Sequence, residues 1–332
     1  MSERGTAGRP KVVAMRTSAQ PAAPTARHYM SALDLSHHEL EKLIDRAAAF
    51  KKGRTELRST VRPLKGRHVA LLFEKPSLRT RSTFTIAVRE LGGDVIEPPA
   101  SVALGGRESP EDVARNLERW VAGCVVRTFA QEGLLRFAAA ATRMHVVNAL
   151  TDEEHPCQVL ADMLTLKERV GRLPGRTLTF VGDGNNVATS LAHAGAMLGL
   201  HVRVASPKGY ELPQSVVKAC ETVAANGATL TLLTDPVEAV RGADAIYTDA
   251  WTSMGQEEET NRRNRVFRPY QVNAALMRAA GDQAIFMHCL PAHRGHEVTD
   301  EVMDSPASAI FDQAENRLHT RSEEHTSELQ SR

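Results

Sequence analysis

The chain has 332 residues, enough for two domains with a core each, and 41 Lys and Arg against 40 Asp and Glu leave a formal net charge of +1. That balance gives no broad attraction to nucleic acid or to an anionic membrane, and no apolar run approaches the length of a membrane span. Cys124, Cys157, Cys220 and Cys289 form no C-x-x-C pair, which suits a reducing compartment and predicts a cytoplasmic protein.

Residues 1–27 are rich in Ala, Pro, Thr and Arg, carry Glu3 as their sole acid, and read as a disordered arm. Pro10, Pro21 and Pro24 argue against an amphipathic transit helix there. Ser36 and Glu39 form a capping-box pattern, and Leu40, Leu43, Ile44 and Ala47 mark a helix that Gly53 is expected to end. Strand-like runs follow at 68–73, 94–97, 123–129 and 145–150, separated by helical stretches such as 110–121 and 131–141. Pro156 to Val170 reads as one long helix, stopped by the turn-rich Gly171-Arg-Leu-Pro-Gly175. Beyond it come strands Thr177–Val181, His201–Ala205, Thr229–Leu233, Asp244–Asp249 and Ala284–His288, with helices at 187–198 and 214–225.

The alternation predicts an α/β protein of two parallel-sheet domains with a cleft between them. The expected bounds are a first domain at 28–155, an interdomain helix at 156–171, a second domain at 172–305 and a returning segment at 306–320. Arg321 to Arg332 is polar, lacks an apolar stripe and resembles the translation of a sequencing adapter, so it is expected to be a non-native tail.

The stretch Phe73-Glu-Lys-Pro-Ser-Leu-Arg-Thr-Arg81 is the most telling. It follows an apolar strand and precedes Phe84, Ala87, Val88 and Leu91 at helical spacing, so Ser77 falls at a helix N-terminus. Two arginines in a first helical turn are repelled by the helix dipole, by roughly 0.3–1 kcal/mol each. An anion reverses the sign, and backbone N–H groups, the Ser77 and Thr80 hydroxyls and the guanidiniums of Arg79 and Arg81 then make a phosphate cradle; the alternative is that both arginines lie along the surface with their heads in water.

Four further clusters stand at strand ends. Arg127 is either a surface charge or a second phosphate clamp. His155 and Gln158 bracket a helix start, as a capping arrangement or as donors to a carbonyl oxygen that gains charge. Val181-Gly-Asp-Gly-Asn-Asn186 invites a dinucleotide reading, which weakens because Val187 replaces the third glycine and the next strand lacks a ribose-binding acid. Asn185 and Asn186 remain available to a small polar ligand. Asp249, leaving a strand, suits an amine, and Cys289 after its strand is either a thiolate near cations or an inert buried thiol. His288, Cys289, His293 and His296 are soft ligands, but their H-C-x3-H-x2-H spacing matches no common zinc arrangement.

In this order, Ser-x-Arg-Thr-Arg, His-Pro-x-Gln, Asp-x-x-x-Ser-Met-Gly and His-Cys-Leu-Pro resemble the signatures of ornithine carbamoyltransferases, over about Tyr29 to His319. The resemblance implies transfer of the carbamoyl group of carbamoyl phosphate to the δ-amine of L-ornithine in arginine metabolism, without metal or organic cofactor, by a homotrimer. It further implies that Ser77, Leu78, Arg79, Thr80, Arg127 and Arg317 bind the phosphate and that His155 and Gln158 hold the carbamoyl group. Asn186, Asp249, Ser253 and Met254 would bind ornithine. Asp249 and Cys289 would surround its δ-amine, with a Cys289 thiolate as proton acceptor, and Leu290 would offer a backbone carbonyl to the carbamoyl N–H.

Three departures from the family pattern stand out. Ala103 occupies a position where relatives place a polar residue reaching the neighbouring subunit, and His296 replaces a common acid. An apolar helix expected after His319 is replaced by the polar tail, which predicts reduced stability.

Overall fold

The computed structural model describes residues 27–99, 104, 107–252 and 259–329. Apart from Arg27, the N-terminal arm lies outside the described residues, as do Ala103, Ser253 and Met254.

The first domain runs α1 (His37–Thr60), β1 (His68–Phe73), α2 (Leu78–Glu90), β2 (Asp94–Ile96), α3 (Pro110–Leu117), β3 (Gly123–Arg127), α4 (Gln131–Ala140) and β4 (His145–Leu150). The connector α5 (Pro156–Val170) leads into β5 (Thr177–Val181), α6 (Asn186–Leu198), β6 (His201–Ala205), α7 (Gln214–Val223), β7 (Thr229–Leu233) and α8 (Pro236–Val240). Then follow β8 (Ala245–Thr248), α9 (Thr260–Phe267), α10 (Ala274–Ala280), β9 (Ile285–His288), α11 (Asp300–Met303) and α12 (Ile310–Leu329).

Both sheets are parallel, with strand orders β2-β1-β3-β4 and β7-β6-β5-β8-β9. Parallel strands are covered on both faces, so they read as continuous apolar runs, and the strands closest to the predicted bounds are such runs: Val69–Phe73 and Thr177–Val181 are buried throughout. In each sheet the chain reverses direction across the sheet beside its first strand, β1 or β5. The crevice beyond the carboxyl ends of β1 and β3 therefore faces the one beyond β5 and β8.

Between the sheets lies α5, in which every residue from Pro156 to Leu166 is buried. It is no surface linker: it packs against α1, α6, α12 and β4, and its Leu160, Met163 and Leu164 join one core with Phe73 and Val147 of the first domain and Phe180 and Leu191 of the second. Over its first three turns α5 is thus enclosed on all sides, its polar Gln158, Asp162 and Thr165 included.

Two expectations need correction. Gly53 does not end α1, which runs on to Thr60. Beyond that glycine Arg54 forms an ion pair with Glu90 at 2.8 Å and Leu57 packs on the core, so tertiary contacts outweigh the roughly 1 kcal/mol that a mid-helix glycine costs. The polar segment after Thr320 also does not end helical structure, since α12 continues to Leu329 and packs against α1, α2 and α5. It holds no proline or glycine to break it. Arg321 and Ser322 are buried, and the Arg321 guanidinium lies 4.4 Å from the centre of the Phe84 ring while donating to the Arg79 and Thr80 carbonyls at 3.4 Å.

Candidate active site

The strand ends enclose a cleft of about 830 Å³. One wall is the turn after β1. Ser77 caps α2, its Oγ accepting the Thr80 N–H at 3.2 Å, and the first turn of α2 carries no acid to satisfy its dipole. Leu78, Arg79 and Thr80 line the cleft with Ser77. Arg127 enters from the end of β3 and Arg317 from α12. Arg317 is buried and ties the halves together: Nη2 donates to Thr80 Oγ1 at 2.8 Å and Nη1 to the Cys289 carbonyl at 3.2 Å.

Among the described residues, Arg79, Arg127 and Arg317 form no ion pair with a carboxylate, and the Nε atoms of Arg127 and Arg317 are buried without a hydrogen-bond partner. Burial holds each guanidinium below its ordinary pKa; Arg127 is pushed down to about 10, with Arg317 and Arg79 adding repulsion. Three cations gathered in a poorly hydrated site without a counter-charge form a place for an anion. Arg81, in contrast, pairs with Glu97 at 2.8 Å and lies outside the cleft lining, so one arginine of that motif, and not two, lines the cleft. Its partner lies at the end of β2, sixteen residues on, where local spacing carries no signal.

His155 opens α5. Its backbone N–H donates to Ser190 Oγ at 2.9 Å, and that hydroxyl donates to Glu154 Oε2 at 3.1 Å. Its Nδ1 is buried without a partner, and burial together with Arg317, Arg127, Arg321 and Lys75 holds its pKa well below the ordinary range, so the ring is neutral. Gln158, one turn on, is buried, its Nε2 donating to Asp162 Oδ1 at 2.8 Å and its Oε1 left without a partner.

Opposite the arginines stand Asp249, after β8, and Cys289, after β9. The Cys289 thiol donates to Asp249 Oδ1 at 3.0 Å, the Ala250 N–H donates to the same oxygen at 2.8 Å, and Asn185 Nδ2 reaches Oδ2 at 2.9 Å. The expected Cys289 thiolate is therefore corrected. Burial first, and then the Asp249 charge, push this thiol far up, and it serves as a donor. Asn186 lines the cleft and donates to the Thr151 carbonyl across the domains.

Leu290 adopts φ +60°, rare for a side chain with a Cβ, and its N–H is held by His288 Nδ1 at 2.8 Å. His288 Nε2 lies 3.3 Å from the buried Glu297 Oε1, so both imidazole nitrogens are engaged. Asp249, His288 and Cys289 bring potential metal-ligating atoms within 4.8 Å of one another, but these bonds already occupy the His288 nitrogens and the thiol. His293 and His296 stand at the rim of the cleft.

The glycine-rich turn has a packing role. A Cβ on Gly184 would stand 2.6 Å from the Glu211 carbonyl carbon and the Leu212 nitrogen, so this glycine admits a neighbouring loop. Sequence reasoning passed over several lining residues. Lys75 is buried, donates to Asp152 Oδ1 and stands 4.1 Å over the Phe129 ring; its place inside the telling motif was a signal that could have found it. Asp183 pairs with Arg263, which also donates to the Trp251 carbonyl and stacks on Tyr210 and Phe267. Arg263 stands eighty residues away, so nothing local reveals the pair.

Both halves of the chain match known proteins. Residues 27–168 match the family description "Aspartate/ornithine carbamoyltransferase, carbamoyl-P binding domain" and residues 174–322 match "Aspartate/ornithine carbamoyltransferase, Asp/Orn binding domain". An ornithine carbamoyltransferase of Acidothermus cellulolyticus is 52% identical over 89% of this chain and 94% of its own length, and one of Symbiobacterium thermophilum is 50% identical over 89% and 95%. The solved ornithine carbamoyltransferase of Pyrococcus furiosus superposes with a TM-score of 0.87 at 44% identity, covering 91% of this chain and 96% of its own. That of Gloeobacter violaceus gives 0.80 at 44%, covering 91% and 98%. With both halves matched in order and the cleft lying between them, the chain belongs to the aspartate/ornithine carbamoyltransferase family.

Proposed function

We propose that this chain transfers the carbamoyl group of carbamoyl phosphate to the δ-amine of L-ornithine, giving L-citrulline and phosphate. The observation that carries this reading is the pairing of three guanidiniums lacking carboxylate partners among the described residues with an Asp249–Cys289 pair across the same cleft. The relatives' names support it.

In this mechanism the N–H groups of Ser77 to Thr80, with Arg79, Arg127 and Arg317, hold the phosphate. The neutral His155 imidazole donates to the carbamoyl oxygen, and the Leu290 carbonyl accepts a carbamoyl N–H. Asp249 receives the ornithine δ-ammonium, oriented by Cys289 and Asn185, and takes one proton from it, because an alkyl ammonium cannot attack. The freed amine forms a bond to the carbamoyl carbon, and charge collects on the oxygen beside His155 and the arginines. The carbon–oxygen bond to phosphate then breaks, and the second nitrogen proton leaves with the phosphate. Losing one donor to that oxygen raises the barrier by roughly 3–4 kcal/mol. Asn186, Ser253 and Met254 complete the ornithine subsite.

The proposal extends to a cytoplasmic homotrimer acting in arginine metabolism. Exposed Trp120 and Leu135 on the first domain, outside the cleft, support self-association, and sedimentation is expected to give three times the 36.2 kDa chain mass. Among the described residues no helix is long and apolar enough to cross a membrane. The direct test is ureido-product formation from carbamoyl phosphate with ornithine, aspartate or putrescine as acceptor. Product with ornithine alone is expected; product with another amine alone would overturn the choice of substrate.

A further inference from the structure

Behind the cleft a buried carboxylate joins four elements. Asp162, fully buried on α5, accepts hydrogen bonds at Oδ1 from Gln158 Nε2 at 2.8 Å and from Gln313 Nε2 at 2.6 Å, while Oδ2 accepts from the Tyr247 hydroxyl at 3.2 Å. Gln313 Nε2 also reaches the Tyr247 oxygen at 2.9 Å, and Gln313 Oε1 accepts the His288 N–H at 3.0 Å. The knot therefore spans α5, α12, β8 and β9, and no step above uses Asp162, Tyr247 or Gln313.

A primary amide has a donating end and an accepting end, and a carboxylate oxygen that already receives two N–H groups admits only donors. Gln158 must therefore turn Nε2 toward Asp162, which forces Oε1 to the other side, where it is buried without a partner. The flipped amide would set two oxygens against each other at hydrogen-bond distance. By the same constraint Gln313 turns Oε1 to the His288 N–H, the last strand residue before Cys289. One carboxylate thus sets the polarity of two amides. One lies a helical turn beyond His155, on the same face of α5, and the other lies under the strand end that carries Cys289 and Leu290.

We propose that Asp162 is a positioning residue for carbamoyl transfer: it presents the Gln158 carbonyl oxygen as acceptor for one N–H of the substrate's carbamoyl amide and, through Gln313, anchors the Cys289–Leu290 turn. This rests on the functional reading above. The Leu290 carbonyl takes the second N–H, so the amide end is gripped from both sides, independently of the phosphate site.

The test measures calorimetric affinities for inorganic phosphate and for phosphonoacetamide, a stable probe with both a phosphonate and a carbamoyl amide. Asp162→Leu removes both acceptors; it is expected to weaken phosphonoacetamide at least tenfold while leaving phosphate within twofold. Asp162→Asn keeps an acceptor oxygen for the two amides, and is expected to return both affinities to within threefold of the wild type. A general loss of packing would weaken both ligands together, and that outcome overturns the proposal. If Asp162→Leu does not fold, Gln158→Met removes the same acceptor and must reproduce the split; weakening of phosphate and phosphonoacetamide alike there, or a tenfold loss of phosphonoacetamide in Asp162→Asn, also overturns it. A wild type that binds phosphonoacetamide no better than phosphate refutes the functional reading itself, which the variants do not address.

Discussion

Arg127→Met separates a binding site from a structural ion pair by the sign of its effect. In the free protein, burial and the charges of Arg317 and Arg79 lower the Arg127 pKa to about 10. At about 1.4 kcal/mol per pKa step, this places the charged group roughly 3 kcal/mol uphill, and solvent screening of its partly exposed head reduces that to roughly 1–3 kcal/mol. Methionine keeps the apolar stem, and the Arg127 carbonyl that accepts the Glu74 N–H at 2.9 Å belongs to the backbone and is retained. The variant is therefore expected to melt above the wild type in phosphate-free buffer. Saturating phosphate should reverse the order, because an anion at 100 times its Kd stabilises the wild type by about 2.7 kcal/mol. Scanning calorimetry with and without phosphate reads both comparisons, and turnover should fall by about 10²–10³-fold. A variant melting below the wild type without phosphate would mean that Arg127 is already satisfied, and would refute the argument.

Cys289→Ser keeps a donor to Asp249 Oδ1, so its turnover is expected within about tenfold of the wild type; a loss beyond about 10³-fold would restore the thiolate base. Gly184→Ala forces a Cβ against the Glu211–Leu212 backbone and is expected to lower stability by about 1–3 kcal/mol; an unchanged Tm would show that the loop yields freely. Burial pushes the Asp162 carboxyl up to about 7, against the pull of its hydrogen bonds from Gln158, Gln313 and Tyr247 and of the Arg317 charge. Tyr247, Arg317 and Cys289 are the titratable groups that feel it. Because the folded pKa lies above the unfolded one, the stability present in acid is lost as pH rises from about 4 to about 7. Asp162→Asn has no such loss, so its Tm should gain on the wild type across that window; a constant difference would refute the assignment.

The sheet strands and the cleft-forming turns were legible because their signals are local. A parallel strand covered on both faces is a short apolar run, and Ser77, His155 and Asn186 each stand where such a run gives way to a helix. Specificity of the motifs in their order made the family legible as well. Hidden from sequence were pairings between distant elements: Arg81 with Glu97, Lys75 with Asp152, Asp183 with Arg263, and Arg317 with Thr80 across 237 residues. Gly53 was misread because Arg54 and Leu57 find partners beyond the helix itself.

Residue order alone thus settled the fold class and the strand positions to within a residue or two, since each depends on neighbours along the chain. Charge and proton states were decided by the tertiary structure. Cys289 is a thiol and His155 a neutral ring because burial and groups from other elements set the energy of an ion, and neither is written in the local sequence.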